Sequence, residues 1–306
     1  MPDPALSVVI PAYNQAPTLR RTLETLQEQT LDRGQSEVIV VDDGSTDETA
    51  AVTRGQAAGD PRVRLVQHAG NRGRSAARNT GVRAARGEII LLLDSDVIVP
   101  RAFLASHLDA HRRSRRPVLC RGPVVDIPDA RLPDRPPPFA ASRAYLTTAN
   151  ASLRRGELLG AGLFDEGFPA YGWEDFDLGF RLQRRGLPRV FRRDAIAYHL
   201  PPATQSLEEA LRKEEDRARA AVYLCAKYPG WQTRLLVQYT PFHRILYFLQ
   251  AGGGLLSPRN GFGLALRLRR AGRPALANLA LRSVLNRHYL TALRREWARA
   301  AHREGR

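Results

Sequence analysis

Through the first hundred residues, short and nearly continuous apolar runs alternate with segments of helical period. Residues 6–10, 37–41, 63–67 and 88–93 are rich in Val, Ile and Leu and are of strand length. Runs so little interrupted suit strands covered on both faces, the condition of a parallel sheet flanked by helices. Between them, 18–29, 47–58 and 75–85 carry helical spacing, and Ser45-Thr46-Asp47-Glu48 fits an S-x-x-E capping box that would open the second helix. A βαβαβαβ order requires right-handed crossovers, so ligands are expected at the carboxyl ends of the strands.

After a further helix over 101–113 the pattern loosens. Five prolines in 126–138 predict an irregular loop, 149–153 a strand, 174–185 a helix and 195–199 a last short strand. Beyond Pro202 the period becomes helical over 207–228, 235–250, 261–270 and 274–299, with no internal repeat. The expected fold class is therefore α/β, a Rossmann-like and mostly parallel sheet flanked by helices, with a mainly helical C-terminal appendage. The expected domains are 1–204 and 205–306.

Composition narrows this picture. The chain has 306 residues, 43% hydrophobic and 25% charged, with 24 Gly and 21 Pro, which excludes collagen, wholesale disorder and an integral membrane bundle. Ile89–Leu93 is far shorter than the roughly 20 apolar residues that cross a bilayer. The N-terminus lacks the basic-then-apolar order of a signal peptide, and Cys120 and Cys225 alone make neither a disulfide framework nor a zinc site. A cytoplasmic protein is expected. Residues 205–306 hold 19 of the 47 Lys and Arg but only 7 of the 31 Asp and Glu, so most of the net +16 lies there.

The turn after the first strand, Pro11-Ala12-Tyr13-Asn14-Gln15, has no glycine, so the dinucleotide fingerprint is missing where it belongs. A phosphate-binding P-loop, a G-x-S-x-G elbow and an H-E-x-x-H pair are absent too. What remains is carboxylates where apolar strands end: Asp42-Asp43 after residue 41, and Asp94-Ser95-Asp96 after residue 93. Each pair reads either as an acidic turn or as a ligand-facing site, and carboxylates two residues apart can share Mg²⁺ or Mn²⁺. Glu174, Asp175 and Asp177 open a helix, where acids also complement the dipole, and Asp177 is spaced to pair with Arg181. His199 closes an apolar strand and reads either as structural or as a ligand.

Six blocks then occur in order: S-V-V-I-P-A-Y-N at 7–14, V-D-D-G-S-T-D at 41–47, N-x-G-x-x-x-A-R-N-x-G at 71–81, L-L-D-S-D at 92–96, W-E-D-F-D-L at 173–178 and Y-H-L at 198–200. Together they resemble the family 2 glycosyltransferases of GT-A fold, over about residues 5–204. The resemblance implies a nucleotide-sugar half over about 1–100 and an acceptor half over about 101–204. It further implies a nucleoside-diphosphate-sugar donor, a UDP-sugar first, a divalent cation (Mn²⁺ or Mg²⁺) and a glycan or lipid-linked acceptor. Pro11 and Tyr13 would line the nucleoside pocket, Asp43 would bond the base, Arg78 would reach the nucleotide, and Asp94 would sit near the ribose and cation. Asp96 and His199 would ligate the cation, Asp175 would be the catalytic base, and Trp173 and Glu174 would position the acceptor. One base without a covalent carboxylate implies single displacement with inversion.

The basic tail reads as an amphipathic helical appendage or as a peripheral contact with anionic membrane. Nucleic acid is not expected, because no binding module accompanies the charge. The alternatives to a transferase are a scaffold that keeps the fold and a nucleic-acid-binding protein. Intact Asp96, Asp175 and His199 argue against the first.

Overall fold

A computed structural model of the chain describes residues 3–133, 135, 144–169, 171–200, 206–250 and 256–304. Part of the expected Pro-rich loop, and the boundary expected near 204, lie outside the described residues. The chain divides into two compact units: Met1–Glu166 with Glu174–Ala203, and Gly167–Trp173 with Thr204–Arg306.

In the first unit the elements follow in chain order as β1 Leu6–Ala12, α1 Ala16–Gln27, β2 Ser36–Asp42, α2 Thr49–Gly59, β3 Val63–Gln67, α3 Arg74–Ala84, β4 Ile89–Leu93 and β5 Val97–Ile98. Then come α4 Phe103–Arg112, β6 Leu119–Arg121, β7 Val124–Asp126, β8 Asn150–Arg154, α5 Arg155–Gly160, α6 Glu174–Arg184, β9 Arg189–Phe191 and β10 Ala197–His199. The main sheet has the order β3-β2-β1-β4-β8-β6-β9. Its first four strands are mutually parallel, and β8 runs antiparallel to β4 and β6. The mostly parallel α/β order expected from the apolar runs is the one observed.

Both faces of β1, β2 and β4 are dry, as their unbroken apolar runs require. On one face Val8, Ile10, Val38, Val40, Leu91 and Leu93 pack with Leu19 and Leu23 of α1 and Phe103 and Leu108 of α4. On the other, Val9, Ile39, Val41, Ile90 and Leu92 pack with Val82 of α3, Leu158 of α5 and Leu178 and Leu182 of α6. Each such side chain contributes about 1.5–3 kcal/mol by leaving water. Gly81 lets α3 lie directly on the sheet, since a Cβ there would come within 2.4 Å of Val9 Cγ1.

The expected capping box does not form. Helix α2 begins at Thr49 behind Glu48, with no side-chain cap. Ser45 Oγ instead accepts the Asn14 amide at 2.9 Å, while Asp47 accepts from the amides of Thr49 (3.0 Å) and Ala16 (3.1 Å). Residues that would have capped α2 are thus used to fasten the exit of β2 to that of β1.

A second sheet, β5-β10-β7, lies outside the sequence expectation except for its central strand. A buried polar network supports it. Asn150 Nδ2 donates to the carbonyls of Pro123 (3.0 Å) and Ala195 (2.8 Å), just before β7 and β10. Asn150 Oδ1 lies 2.9 Å from His107 Nε2, and Ser152 Oγ lies 2.8 Å from both His107 Nδ1 and His111 Nε2. Burial pushes His107 down to about 3 and His111 down to about 4, so both imidazoles are neutral partners near pH 7.

The second unit is helical: α7 Leu207–Lys227, α8 Trp231–Leu236, α9 Pro241–Gln250, α10 Pro258–Arg270 and α11 Pro274–Glu304. Ser206 with Glu209 and Ser257 with Asn260 form reciprocal capping boxes that start α7 and α10. Alanines 210, 218, 220 and 221 are buried along α7, and α11 packs on α7 and α10. Tyr289 on α11 donates to the Val237 carbonyl at 2.8 Å and lies under the Arg217 guanidinium, 4.6 Å from the ring centre. Among the described residues no helix is long and apolar enough to cross a membrane.

Candidate active site

Parallel pairing sets Ala12 opposite Asp42 and Val9 opposite Leu92, so the chain leaves β1, β2 and β4 on one edge of the sheet. That edge gathers Pro11, Tyr13, Asp43, Asp94 and Asp96. Pro11 is buried and Tyr13 is 44% exposed just beyond it. Asn14 takes a positive φ of 52°, and its Oδ1 accepts the Thr46 amide at 2.9 Å, fixing the turn.

Asp43 is buried, and its carboxylate shapes the rim of this edge. Oδ1 meets His68 Nδ1 at 2.7 Å and the Arg72 amide at 2.9 Å, and Oδ2 accepts the Gly73 amide at 2.8 Å. Three of about four acceptor positions are taken, leaving one on Oδ2. With Nδ1 donating to Asp43, His68 Nε2 accepts the Thr80 hydroxyl at 3.0 Å. Gly44, at φ 75°, lets the two loops meet, because a Cβ there would fall 2.5 Å from the Gly70 carbonyl carbon.

Arg78 is the centre of the charged cluster. Its side chain is almost wholly buried, with Nη1 donating to Glu174 Oε1 at 3.1 Å and Nη2 to Asp94 Oδ1 at 3.0 Å. Burial works against the cation, but Asp94 and Glu174 outweigh it and raise its pKa. Arg78 Nε is buried with no hydrogen-bond partner among the described residues. Next to this pair, Asp175 is pushed up to about 7, first by burial and then by the Glu174 charge, with Arg78 opposing. Its Oδ1 accepts the Phe176 amide at 2.8 Å, and Oδ2 has no hydrogen-bond partner among the described residues. Asp177 faces the other way and pairs with Arg181 at 2.6 Å, as its spacing suggests.

The second sheet brings together the other two expected residues. Antiparallel pairing sets His199 opposite Val97, and the Leu200 amide donates to the Asp96 carbonyl at 2.8 Å. His199 Nε2 then lies 3.3 Å from Asp96 Oδ2, and its Nδ1 lies 3.3 Å from Asp126 Oδ1. Asp96 raises the imidazole pKa. Burial pushes the Asp96 carboxyl up, but the His199 contact outweighs it and holds that carboxyl low.

Trp173 immediately precedes α6 but belongs to the second unit. Its φ of 70° is strained for a bulky side chain, at about 1–3 kcal/mol. Its indole Nε1 donates to the Arg217 carbonyl at 3.1 Å, and the Arg217 guanidinium lies 5.2 Å above the ring. Sequence reasoning missed His68, Thr80, Asp126 and Asn14. For His68 a signal existed, a polar residue directly after β3 on the same sheet edge. For Asp126 there was none, since β7 is too short to be read.

The sequence and the fold have known counterparts. The profile of the family described as "Glycosyl transferase family 2" matches residues 7–157. The "Uncharacterized glycosyltransferase YfnE" of Bacillus subtilis is 28% identical, over 72% of this chain and 70% of that protein. "Validoxylamine A glucosyltransferase" of Streptomyces hygroscopicus subsp. jinggangensis is 34% identical over 65% of this chain, which spans 56% of that relative's length. Among solved structures, the "Mannosyltransferase PcManGT from Pyrobaculum calidifontis in complex with GDP-Man and Mn2+" superposes with a TM-score of 0.59 at 20% identity, over 92% of this chain and 86% of that one. S. aureus TarS 1-349 in complex with UDP-GlcNAc gives 0.55 at 19% identity, over 98% and 92%. The chain belongs to glycosyl transferase family 2, and its fold is that of the GT-A glycosyltransferases.

Proposed function

We propose that this chain is a divalent-cation-dependent hexosyltransferase working on the cytoplasmic side. It would move a sugar from a nucleoside-diphosphate donor, a UDP-sugar first, to a hydroxyl of a glycan or lipid-linked acceptor in polysaccharide or glycolipid synthesis. The observation that carries the reading is the grouping of Arg78, Asp94, Glu174 and Asp175 at the carboxyl edge of the parallel sheet. The ligands bound in two structural neighbours, GDP-Man with Mn²⁺ and UDP-GlcNAc, support a nucleotide-sugar donor.

Asp96 and His199 fit a cation site. One carboxylate oxygen and one imidazole nitrogen 3.3 Å apart, both part-exposed, form a partial donor set that leaves positions for diphosphate oxygens and water. Such a cation supplies Lewis-acid stabilisation of the departing diphosphate when bound. Asp94, held by Arg78, takes the ribose side, and the open acceptor position of Asp43 faces the base. Pro11 and Tyr13 flank the nucleoside. Trp173 and Glu174 orient the acceptor, and Asp175 Oδ2 takes the proton of its attacking hydroxyl. Arg78 holds Glu174 through Oε1, which leaves Asp175 as the base and assigns no carboxylate as nucleophile, and this supports inversion.

The test is release of nucleoside diphosphate from UDP-, GDP- and dTDP-sugars, with a CMP-sugar as control, in Mn²⁺ and in EDTA. One donor class should release product at least about tenfold faster in Mn²⁺, and the CMP-sugar should not. A folded chain that releases nothing from any donor would set the proposal aside.

A further inference from the structure

Helix α9 turns an apolar face outward. Phe242, Ile245, Phe248 and Leu249 recur at helical spacing and are 66%, 63%, 56% and 65% exposed. Surfaces of soluble monomers rarely leave such a contiguous face in water without a use for it. Beside it, a groove of about 610 Å³ runs between α9 and α11, lined by Ile245, Phe248 and Leu290 together with Arg244, Arg287 and Arg294. Arg287 donates to the Leu256 carbonyl at 2.9 Å. Arg244 and Arg294 are exposed and make no ion pair among the described residues. Residues 217–295 contain 14 Lys and Arg and no Asp or Glu, so no acidic side chain from this stretch offsets them.

We propose that the α9–α11 groove is a docking site for an anionic phospholipid surface. Headgroup phosphates meet Arg244, Arg287 and Arg294, while Phe242, Ile245, Phe248 and Leu249 enter the boundary between headgroups and acyl chains. Charge complementarity selects the occupant. A groove with several arginines and no carboxylate matches phosphate, and the aliphatic Ile245 and Leu249 match hydrocarbon rather than stacked bases. With no helix able to span a bilayer among the described residues, the contact is with its surface. The inference deepens the lipid-linked-acceptor part of the proposed function but does not depend on the chemistry at Asp175.

The experiment is flotation of the full chain with vesicles of phosphatidylcholine alone, or with about a third phosphatidylglycerol, at moderate salt. Binding to the anionic vesicles should be at least about tenfold stronger. Arg244→Glu and Arg294→Glu should each weaken it by about fivefold or more, and Phe248→Asp by about tenfold. These positions are exposed, so thermal midpoints and nucleoside-diphosphate release from the donor in solution should stay at wild-type values. Loss of release with vesicle binding intact would therefore count against the transferase reading alone. Equal binding to neutral and anionic vesicles, or anionic binding indifferent to all three substitutions, would overturn the docking site. Displacement from vesicles by millimolar inorganic phosphate would reassign the groove to a free anion. Retention of duplex DNA that the Arg substitutions abolish, without vesicle binding, would reassign it to nucleic acid.

Discussion

Asp175→Asn should lower sugar transfer by about 10²–10⁴ while leaving donor affinity within about twofold of wild type. The amide is nearly isosteric and can still accept the Phe176 amide hydrogen through its carbonyl, so the start of α6 is kept. What it cannot do is take a proton from an incoming hydroxyl. As the proposed base, the same carboxyl should set the acid limb of the pH profile. Its pKa is raised to about 7 by burial and by Glu174, so the base is protonated and idle below that pH and competent above it. The logarithm of kcat/KM should rise with unit slope and level off above about pH 7. In Asp175→Asn this limb should vanish. Steady-state kinetics over pH 5–9, with donor binding measured by calorimetry, checks both parts. Equal loss of binding and turnover would remove Asp175 from the base role.

Arg78→Met should destabilise the first unit by about 3–5 kcal/mol, the usual cost of removing one partner from a buried ion cluster. The guanidinium is the shared counter-ion of Glu174 and Asp94, and methionine fills its volume without its charge. For a unit of this size the thermal midpoint should fall by roughly 10 °C. A second effect separates electrostatics from packing. Arg78 lowers the Asp175 pKa, so its removal should move the acid limb of the pH profile upward, whereas Arg78→Lys should hold the limb near its wild-type place while still losing one of the two bonds. Scanning calorimetry and the pH profile of the lysine variant read the two effects. A midpoint within a degree of wild type in Arg78→Met would show that the cluster does not hold the site together.

Much of this arrangement was legible from the sequence, and the limits are physical. Strands β1, β2 and β4 are apolar on both faces, so Val38–Val41 and Ile89–Leu93 announce themselves and carry Asp43, Asp94 and Asp96 to one edge. Strands β5, β6, β7 and β9 are two or three residues long, too short for any period to register. Around β7 and β10 the support is long-range: Asn150, itself bonded to His107, binds the carbonyls of Pro123 and Ala195, an arrangement no local pattern encodes. Ser45 failed as a cap because Asn14, 31 residues away, draws on the same hydroxyl. The exposure of α9 was equally hidden, since Phe242, Ile245 and Phe248 have the spacing of a core-facing helix and only the packed structure leaves them uncovered.

In the proposed reaction the nucleotide is held through a cation at Asp96 and His199. The direct measurement is calorimetric titration of the chain with UDP and with GDP, in Mn²⁺ and in EDTA, repeated on Asp96→Ala. One nucleotide should bind at least about tenfold more tightly with Mn²⁺ than with EDTA, and Asp96→Ala should erase that difference while its thermal midpoint stays close to wild type. Affinity equal with and without the cation, and indifferent to Asp96→Ala, would contradict it.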